Sequence, residues 1–172
     1  DAVVAEASVL HADAIVFSGG VSAGAFEVVK NTMGAVMEFS RIAMQPGKPQ
    51  GFGATPEGML LFGLPGNPVS AAVSFEVFVR PALLALQGRA DLHRPVLRLP
   101  AAAAWRTPPG RRQYLPAVID RSDPGSWTVR PASAGGSASH LAGGLARAEA
   151  YAIVPADVDA VEDGDPVDVM LV

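Results

Sequence analysis

Cysteine is absent from the 172 residues, and lysine occurs only twice, at Lys30 and Lys48. Without cysteine, disulfide bonds, zinc–thiolate sites and iron–sulfur clusters are excluded. The three histidines, His11, His93 and His140, are not spaced like metal ligands. Because disulfides are typical of oxidising compartments, we expect a reducing, cytoplasmic location.

Long hydrophobic runs and clusters of one charge are also missing. No apolar run reaches the roughly 20 residues that a membrane-spanning helix needs, and no signal peptide opens the sequence. The 13 basic and 17 acidic residues give a net charge of -4 and are dispersed, so no basic face for nucleic acid is predicted. A mean hydropathy of +0.28 is unlike that of a disordered chain. We therefore expect a soluble, folded protein that binds neither membranes nor nucleic acid.

The hydrophobic pattern divides the sequence into two halves, and we predict domains at 1–88 and 89–172. In the first, helices alternate with apolar strands, which is typical of an α/β fold with a mostly parallel sheet. In the second, short alternating runs are separated by Pro, Gly, Asp and Ser, which predicts a small all-β, barrel-like domain. Pro81 is expected to kink or break the last helix of the first half. The predicted helices there are 2–10, 27–33 and 68–86, and the predicted strands are 14–18, 38–44 and one beginning at Met59.

Three loops rich in glycine or proline follow the predicted strands. They read SGGVSAG from Ser18, QPGKPQG from Gln45 and GLPGNPVS from Gly63. Ligands of open parallel sheets bind outside the carboxyl ends of the strands, so we expect the three loops to meet at one edge. The first loop offers backbone N–H groups and hydroxyls before a helix, which suits a phosphate, although a plain βα turn has the same composition. Its spacing matches neither the dinucleotide fingerprint nor the nucleotide phosphate loop.

Polar residues beside these loops are candidates for binding an oxyanion or a metal. Lys48 lies between two prolines that fix the backbone, and Arg41 lies on the preceding strand. A solvated lysine and a structural ion pair are the alternatives for these two. Glu27, at a helix start, either complements the helix dipole or holds Mg²⁺ near a bound phosphate. Asn67 and Ser70 either cap the long helix or bind ligand, and the two roles are compatible.

The segments SGGVSAGAFEVVK, AMQPGKPQGFG and FGLPGNPVSA, in this order and at this spacing, closely resemble the molybdopterin molybdenumtransferase family, which includes the carboxy-terminal region of gephyrin. The resemblance covers essentially the whole chain. It implies a three-layer molybdopterin-binding α/β domain, incomplete at its amino end, followed by a β domain. It also implies the last step of molybdenum cofactor biosynthesis, in which molybdenum from molybdate enters adenylylated molybdopterin and AMP is released. Mg²⁺ or another divalent cation is the implied cofactor, and the full-length protein is implied to be a homodimer.

The resemblance assigns roles to individual residues. It implies Glu27, Arg41 and Lys48 as catalytic residues, and Glu27 as a metal ligand. Glu27 stands where the family usually has aspartate, and Arg41 where it commonly has lysine. Gln45 stands at a frequently basic position, so one expected positive charge is missing. The residues implied to bind the pterin and its phosphate are Gly19, Gly20, Ser22, Gly24, Pro65, Gly66, Asn67, Pro68 and Ser70.

Two alternatives remain open beside molybdenum insertion. Molybdopterin adenylyltransferases share an SGG loop, but they continue with a Thr-Gly pair where this sequence has Val21-Ser22, and they lack the β module. A gephyrin-like scaffold that binds peptides at exposed strand edges is the non-enzymatic alternative. Family members also carry amino-terminal regions that complete the dimer and the active site, so we expect this chain alone to be inactive.

Overall fold

The computed structural model describes residues 2–21, 28–133 and 142–172. The chain forms two compact units. The first comprises Asp1–Ile42 and Gly47–Leu83, and the second comprises Ala43–Pro46 and Leu84–Val172. The short segment Ala43–Pro46 therefore belongs to the second unit. A single boundary along the sequence cannot describe this division.

The first half of the chain contains both helices and strands, with four strands in succession between its second and third helices, and strands dominate the second half. In the first half the elements are α1 (Ala2–Val9), β1 (Ala14–Ser18), α2 (Val28–Met33), β2 (Met37–Arg41), β3 (Met44–Gln45), β4 (Pro49–Ala54), β5 (Leu60–Leu64), α3 (Pro68–Ser74), a π-helical segment (Phe75–Val79) and α4 (Arg80–Leu86). In the second half they are β6 (Val96–Pro100), β7 (Trp105–Arg106), β8 (Arg112–Asp120), β9 (Thr128–Pro131), α5 (Ala142–Leu145), β10 (Ala150–Val154), β11 (Ala160–Val161) and β12 (Pro166–Leu171).

The sheet of the first unit has the strand order β1, β5, β4, β2. β1 and β5 are parallel, whereas β4 is antiparallel to both of its neighbours. β1, β2 and β5 therefore run in one direction, and the loops that follow them lie at one edge of the sheet, as the sequence predicts. Sequence reasoning missed β4, because its glycines read as a loop. A Cβ atom at Gly53 would lie 1.9 Å from the carbonyl oxygen of Val36, so only glycine fits in this strand.

Helices cover both faces of this sheet, which confirms the predicted three-layer α/β architecture. On one face Leu61 of β5 is buried against Met33 and Met37, with partly buried side chains of α1 and α2 around them. On the other face Phe62 and Leu64 are buried against Val79. Val79 belongs to the long helical segment, which is formed by α3, the π-helical segment and α4. Successive residues of a strand point to opposite faces, so β5 contributes to both hydrophobic layers.

The predicted helix 68–86 is continuous, but its middle turn is π-helical. The N–H of Arg80 donates to the carbonyl of Phe75, five residues earlier, immediately before Pro81. The proline ring has no N–H and clashes with a carbonyl one turn back, and the wider turn accommodates it. The structure thus has a π-helical turn where the sequence predicted a kink or break. By length and hydropathy this segment could cross a membrane, a property that core helices of soluble proteins share.

The predicted strand 38–44 is wrong as a single element. β2 ends at Arg41, and β3 pairs in parallel with the start of β8 in the second unit. That pairing joins residues far apart in sequence, so no local pattern reveals it.

The second unit is a β barrel, as predicted. β3, β8, β10, β12 and β6 form its main sheet in that order, and β9 pairs with β8. A bridge between Ala101 and Val129 brings the end of β6 beside β9 and closes the barrel. Alternate residues of every strand point into the barrel. Most of these inward side chains are small or β-branched. Those that are fully buried include Ala117, Val129, Ala150 and Val169.

Candidate functional site

The loops after β1 and β5 meet at the edge of the first sheet. The N–H of Gly19 donates to the carbonyl of Leu64 at 2.8 Å. A Cβ atom at Gly66 would lie 3.3 Å from the Cα of Gly19, so the two backbones are in close contact. The structure therefore brings together the first and third predicted loops. Ser22, Gly24 and Glu27 lie outside the described residues.

Gly20 joins the glycine loop to α2. Its φ of +71° favours glycine, and a Cβ atom there would lie 3.0 Å from the Cγ2 of Val29. Its carbonyl accepts a hydrogen bond from the N–H of Lys30 at 3.1 Å. This bond fixes the backbone of Lys30 beside the loop.

The third loop caps the long helical segment. The Oδ1 atom of Asn67 accepts hydrogen bonds from the N–H groups of Val69 at 3.1 Å and Ser70 at 3.3 Å. Pro68 occupies the first turn, where its missing N–H costs nothing. The predicted capping role of Asn67 is thus present, and Pro65 and Ser70 are buried. Ligand binding by this loop stays a prediction.

Hydrogen bonds from the backbone and from a buried side chain hold the second loop in place. The N–H of Ile42 donates to the carbonyl of Lys48 at 2.8 Å, which closes the turn between β2 and β4. The buried Nε2 group of Gln50 donates to the carbonyl of Gly47 at 2.7 Å and to the Oγ of Ser74 at 2.6 Å. Gln50 therefore ties the turn that carries Lys48 to the long helical segment. Sequence reasoning missed Gln50, because Ser74 is distant in the chain.

Arg41 and Lys48 line one cleft of about 400 Å³ in the first unit, together with Lys30. All three side chains are exposed, and within the described part of the chain none of them pairs with a carboxylate. Three neighbouring cations without counter-charges favour the binding of an anion. The sequence predicted Arg41 and Lys48 here but not Lys30. The cleft is lined by Val21, Lys30, Phe39, Ser40, Arg41, Lys48 and Pro49.

Gln45 has a guanidinium as its neighbour in the second unit. The Nη1 group of Arg111 donates to the Oε1 atom of Gln45 at 2.8 Å. The amide of Gln45 thus accepts a hydrogen bond from a cation, at the position where the resemblance led us to expect a basic residue. Arg111 follows a Pro-Pro-Gly turn, and its partner is more than sixty residues earlier, so the sequence alone did not indicate it.

Carboxylates do not gather at the cleft in the described ranges. Among residues 2–21, 28–133 and 142–172, no group of three or more His, Cys, Asp or Glu side chains could hold a metal. These lining residues suit oxyanions and do not by themselves fit a divalent cation. Glu27, the predicted ligand, and His140 fall outside those ranges.

Two family models match the chain. One, a probable molybdopterin binding domain, matches residues 1–85, and the other, the MoeA C-terminal region (domain IV), matches residues 98–172. Molybdopterin adenylyltransferases lack the β module, so the second match argues against that alternative.

Curated relatives and solved structures agree with these matches. The chain is 44% identical over 163 residues to molybdopterin molybdenumtransferase 2 of Mycobacterium tuberculosis, covering 90% of this chain and 39% of that protein. It is 35% identical to molybdopterin molybdenumtransferase 1 of the same organism, covering 96% of this chain and 40% of that protein. The molybdopterin biosynthesis MoeA protein of Pyrococcus horikosii is similar in structure, with a TM-score of 0.73 and 26% identity, covering 98% of this chain and 39% of that one. The chain spans about two fifths of the length of these proteins.

Proposed function

The chain belongs to the molybdopterin molybdenumtransferase family, and we propose that the protein carrying it inserts molybdenum from molybdate into adenylylated molybdopterin and releases AMP. This reaction is the last step of molybdenum cofactor biosynthesis. The observation that carries the proposal is the cleft lined by Lys30, Arg41 and Lys48 beside the glycine loop. Molybdate and the phosphates of the pterin substrate are all oxyanions, which such a cleft favours.

Electrostatic stabilisation and positioning account for the chemistry in this proposal. Lys48 and Arg41 hold oxyanions, and the planar guanidinium of Arg41 favours bidentate contact with molybdate. The closed turn and the buried Gln50 fix the backbone around Lys48 before substrate arrives, so only the exposed side chain has to reorganise. Binding the pterin and molybdate side by side converts an encounter of two reactants into a reaction within one complex.

The glycine loop and the third loop are the proposed pterin site. Gly19, Gly20, Ser22 and Gly24 receive the phosphate of the pterin, with backbone approach made possible by glycine. Pro65, Gly66, Asn67, Pro68 and Ser70 shape the neighbouring wall, where Gly19 and Gly66 are in contact.

Mg²⁺ or a similar divalent cation is proposed as the cofactor, with Glu27 as its protein ligand. This part of the proposal rests on the family resemblance, since the described lining residues are cationic. A bound divalent cation would polarise the phosphoanhydride.

The proposal extends to the whole protein, which we infer to be a cytoplasmic homodimer that binds neither nucleic acid nor membranes. In the family, regions outside this chain complete the active site. We therefore propose that residues 1–172 alone do not turn over substrate.

AMP release tests the proposed reaction. The full-length protein is mixed with adenylylated molybdopterin, molybdate and Mg²⁺, and both AMP and protein-bound molybdenum are measured. We expect the two to rise together and both to require molybdate. AMP release without molybdenum incorporation would contradict insertion, and neither product would favour a non-catalytic scaffold.

A further inference from the structure

Gln50 follows the turn that carries Lys48, but its side chain lies on the face of the sheet opposite the cleft. Successive residues of a strand point to opposite faces. Pro49 accordingly lines the cleft, whereas Gln50 lines an apolar cavity of about 330 Å³ bounded by β4, β5 and the long helical segment. Only 8% of Gln50 is exposed. Its amide therefore lies behind the wall of the cleft, where it can act on the turn but not on a bound anion.

The amide of Gln50 uses both of its N–H groups to join two segments of the first unit. An amide nitrogen carries two protons, and here one is donated to the carbonyl of Gly47 at 2.7 Å and the other to the Oγ of Ser74 at 2.6 Å. Ser74 is fully buried and is the last residue of α3, immediately before the π-helical segment. Breaking either bond would leave a buried polar group without its partner, which is costly. The turn is thus tied to the long helical segment.

The bond to Gly47 acts on Lys48 through a single peptide unit. The carbonyl of Gly47 and the N–H and Cα of Lys48 lie in one plane, because the peptide bond is rigid. Gly47 has a φ of +102°, and glycine leaves the backbone beside it free to rotate. A hydrogen bond to the carbonyl of Gly47 therefore fixes the point from which the side chain of Lys48 extends.

We propose that Gln50 and Ser74 are positioning residues of the proposed reaction. They set the orientation of the peptide unit between Gly47 and Lys48, and through it the position from which the ammonium of Lys48 reaches an oxyanion. This inference rests on the proposed function, because it takes the role of Lys48 from that reaction. A small displacement of a binding group is enough to weaken its contact with a bound reactant. Oxyanion binding in the cleft therefore depends on the long helical segment, on the far side of the sheet.

Molybdate affinity of the full-length protein, measured by calorimetry, is the first readout. Gln50→Met keeps an unbranched side chain of similar length, removes both donors and should weaken molybdate binding about fivefold. Ser74→Ala removes one of the two bonds and should weaken it about twofold to threefold. Thr55→Val is the matched control, because it removes another buried hydrogen bond, from the N–H of Met59, at the opposite end of β4. Its affinity should equal that of the wild type.

The combination with Lys48→Met separates positioning from general support of the cleft. Lys48→Met alone should bind molybdate about tenfold more weakly than the wild type. If Gln50 acts through Lys48, Gln50→Met should have nothing left to disturb, and the double variant should stay within twofold of Lys48→Met. Losses that multiply in the double variant would overturn the positioning role.

Hydrogen exchange of the turn is the second readout, and it needs no substrate. The N–H of Ile42 donates to the carbonyl of Lys48, so its exchange reports how firmly the turn is closed. Gln50→Met should speed this exchange at least fivefold in the full-length protein, whereas Thr55→Val should not change it. Unchanged exchange in Gln50→Met would overturn the inference and leave the proposed function intact. A wild-type protein that does not bind molybdate would reject the proposed function, and with it the role of Gln50 in that function.

Discussion

Cations are used differently in the two units of the chain. In the first, Lys30, Arg41 and Lys48 line one cleft and pair with no carboxylate of the described residues. In the second, Arg98 lies 2.9 Å from a carboxylate oxygen of Asp168, and Arg121 lies 2.6 Å from one of Glu149. A paired charge is already satisfied by its own fold, whereas adjacent unpaired cations gain free energy when an anion binds. Arg80 of the first unit also lies 3.8 Å from a carboxylate oxygen of Glu76. The contrast therefore sets the cleft apart from the ion pairs of both units, and we propose that the cleft is the part that binds anions.

Lys48→Ala should give the largest effect. Removing one oxyanion donor should lower the rate of AMP release by the full-length protein roughly a hundredfold. The melting temperature should change little, because the exposed side chain of Lys48 forms no ion pair with the described residues. The rate and a thermal melt are measured on the same preparation, with Arg89→Ala as the control for charge. A melt lowered by many degrees would make Lys48 a structural residue.

Glu27→Gln should have a smaller effect, on the metal requirement. An amide is a weaker ligand for Mg²⁺ than a carboxylate, so half-maximal AMP release should require about tenfold more Mg²⁺. Glu57→Gln, an exposed carboxylate elsewhere in the first unit, is the control. A Mg²⁺ titration that does not shift would remove Glu27 from the proposed metal site.

Glu149→Gln should cost only about 0.5 kcal/mol of unfolding free energy and leave AMP release unchanged. The carboxylate pairs with Arg121 at an exposed position, where such pairs contribute little. The Oε1 atom of glutamine still accepts the hydrogen bond that Ile119 N–H donates at 2.8 Å in the wild type. Urea unfolding gives the free energy. A loss of activity in this variant would break the proposed division between the units.

The change with pH in the stability that Glu149 contributes should be the smallest effect. Burial raises the pKa of Glu149, but hydrogen bonds from Arg121 and Ile119 outweigh it and hold the pKa below its ordinary value of 4.5. The charged form is therefore favoured by folding, and its contribution is present above about pH 4.5 and lost as the pH falls through the folded pKa. The difference in unfolding free energy between wild type and Glu149→Gln should shrink as the pH falls from about 4.5 through the folded pKa. A difference that grows towards lower pH would contradict this account.

Several helices and strands of the first unit could be predicted from the sequence because they follow from local patterns, and the meeting of the first and third loops follows from the parallel strands before them. Apolar runs predict β1 and β5, and Asn67 before Pro68 predicts a capped helix. β4 could not be predicted, since glycine at Gly53 is required by the carbonyl of Val36 on a neighbouring segment. The same holds for β3, whose partner strand lies in the second unit.

Some residues of the candidate site could be predicted from the sequence, and others could not. Lys48 lies in a recognisable proline-rich loop and Arg41 lies on the strand before it, so the sequence indicates both. Lys30 is one surface lysine on a short helix until the fold places it at the cleft. Gln50 and Arg111 act through partners distant in the chain, Ser74 and Gln45, and no spacing along the sequence predicts such contacts.

Molybdate titration into the full-length protein tests the central contrast most directly. Arg41→Ala/Lys48→Ala removes two cations of the first unit that pair with no carboxylate in the described ranges, and Arg98→Ala/Arg121→Ala removes two paired cations from the second, so the change in net charge is identical. We predict that the first double variant loses at least tenfold in molybdate affinity, measured by calorimetry, while the second stays within twofold of the wild type. Equal losses in the two double variants would show that only net charge matters, and would contradict an oxyanion site in the cleft.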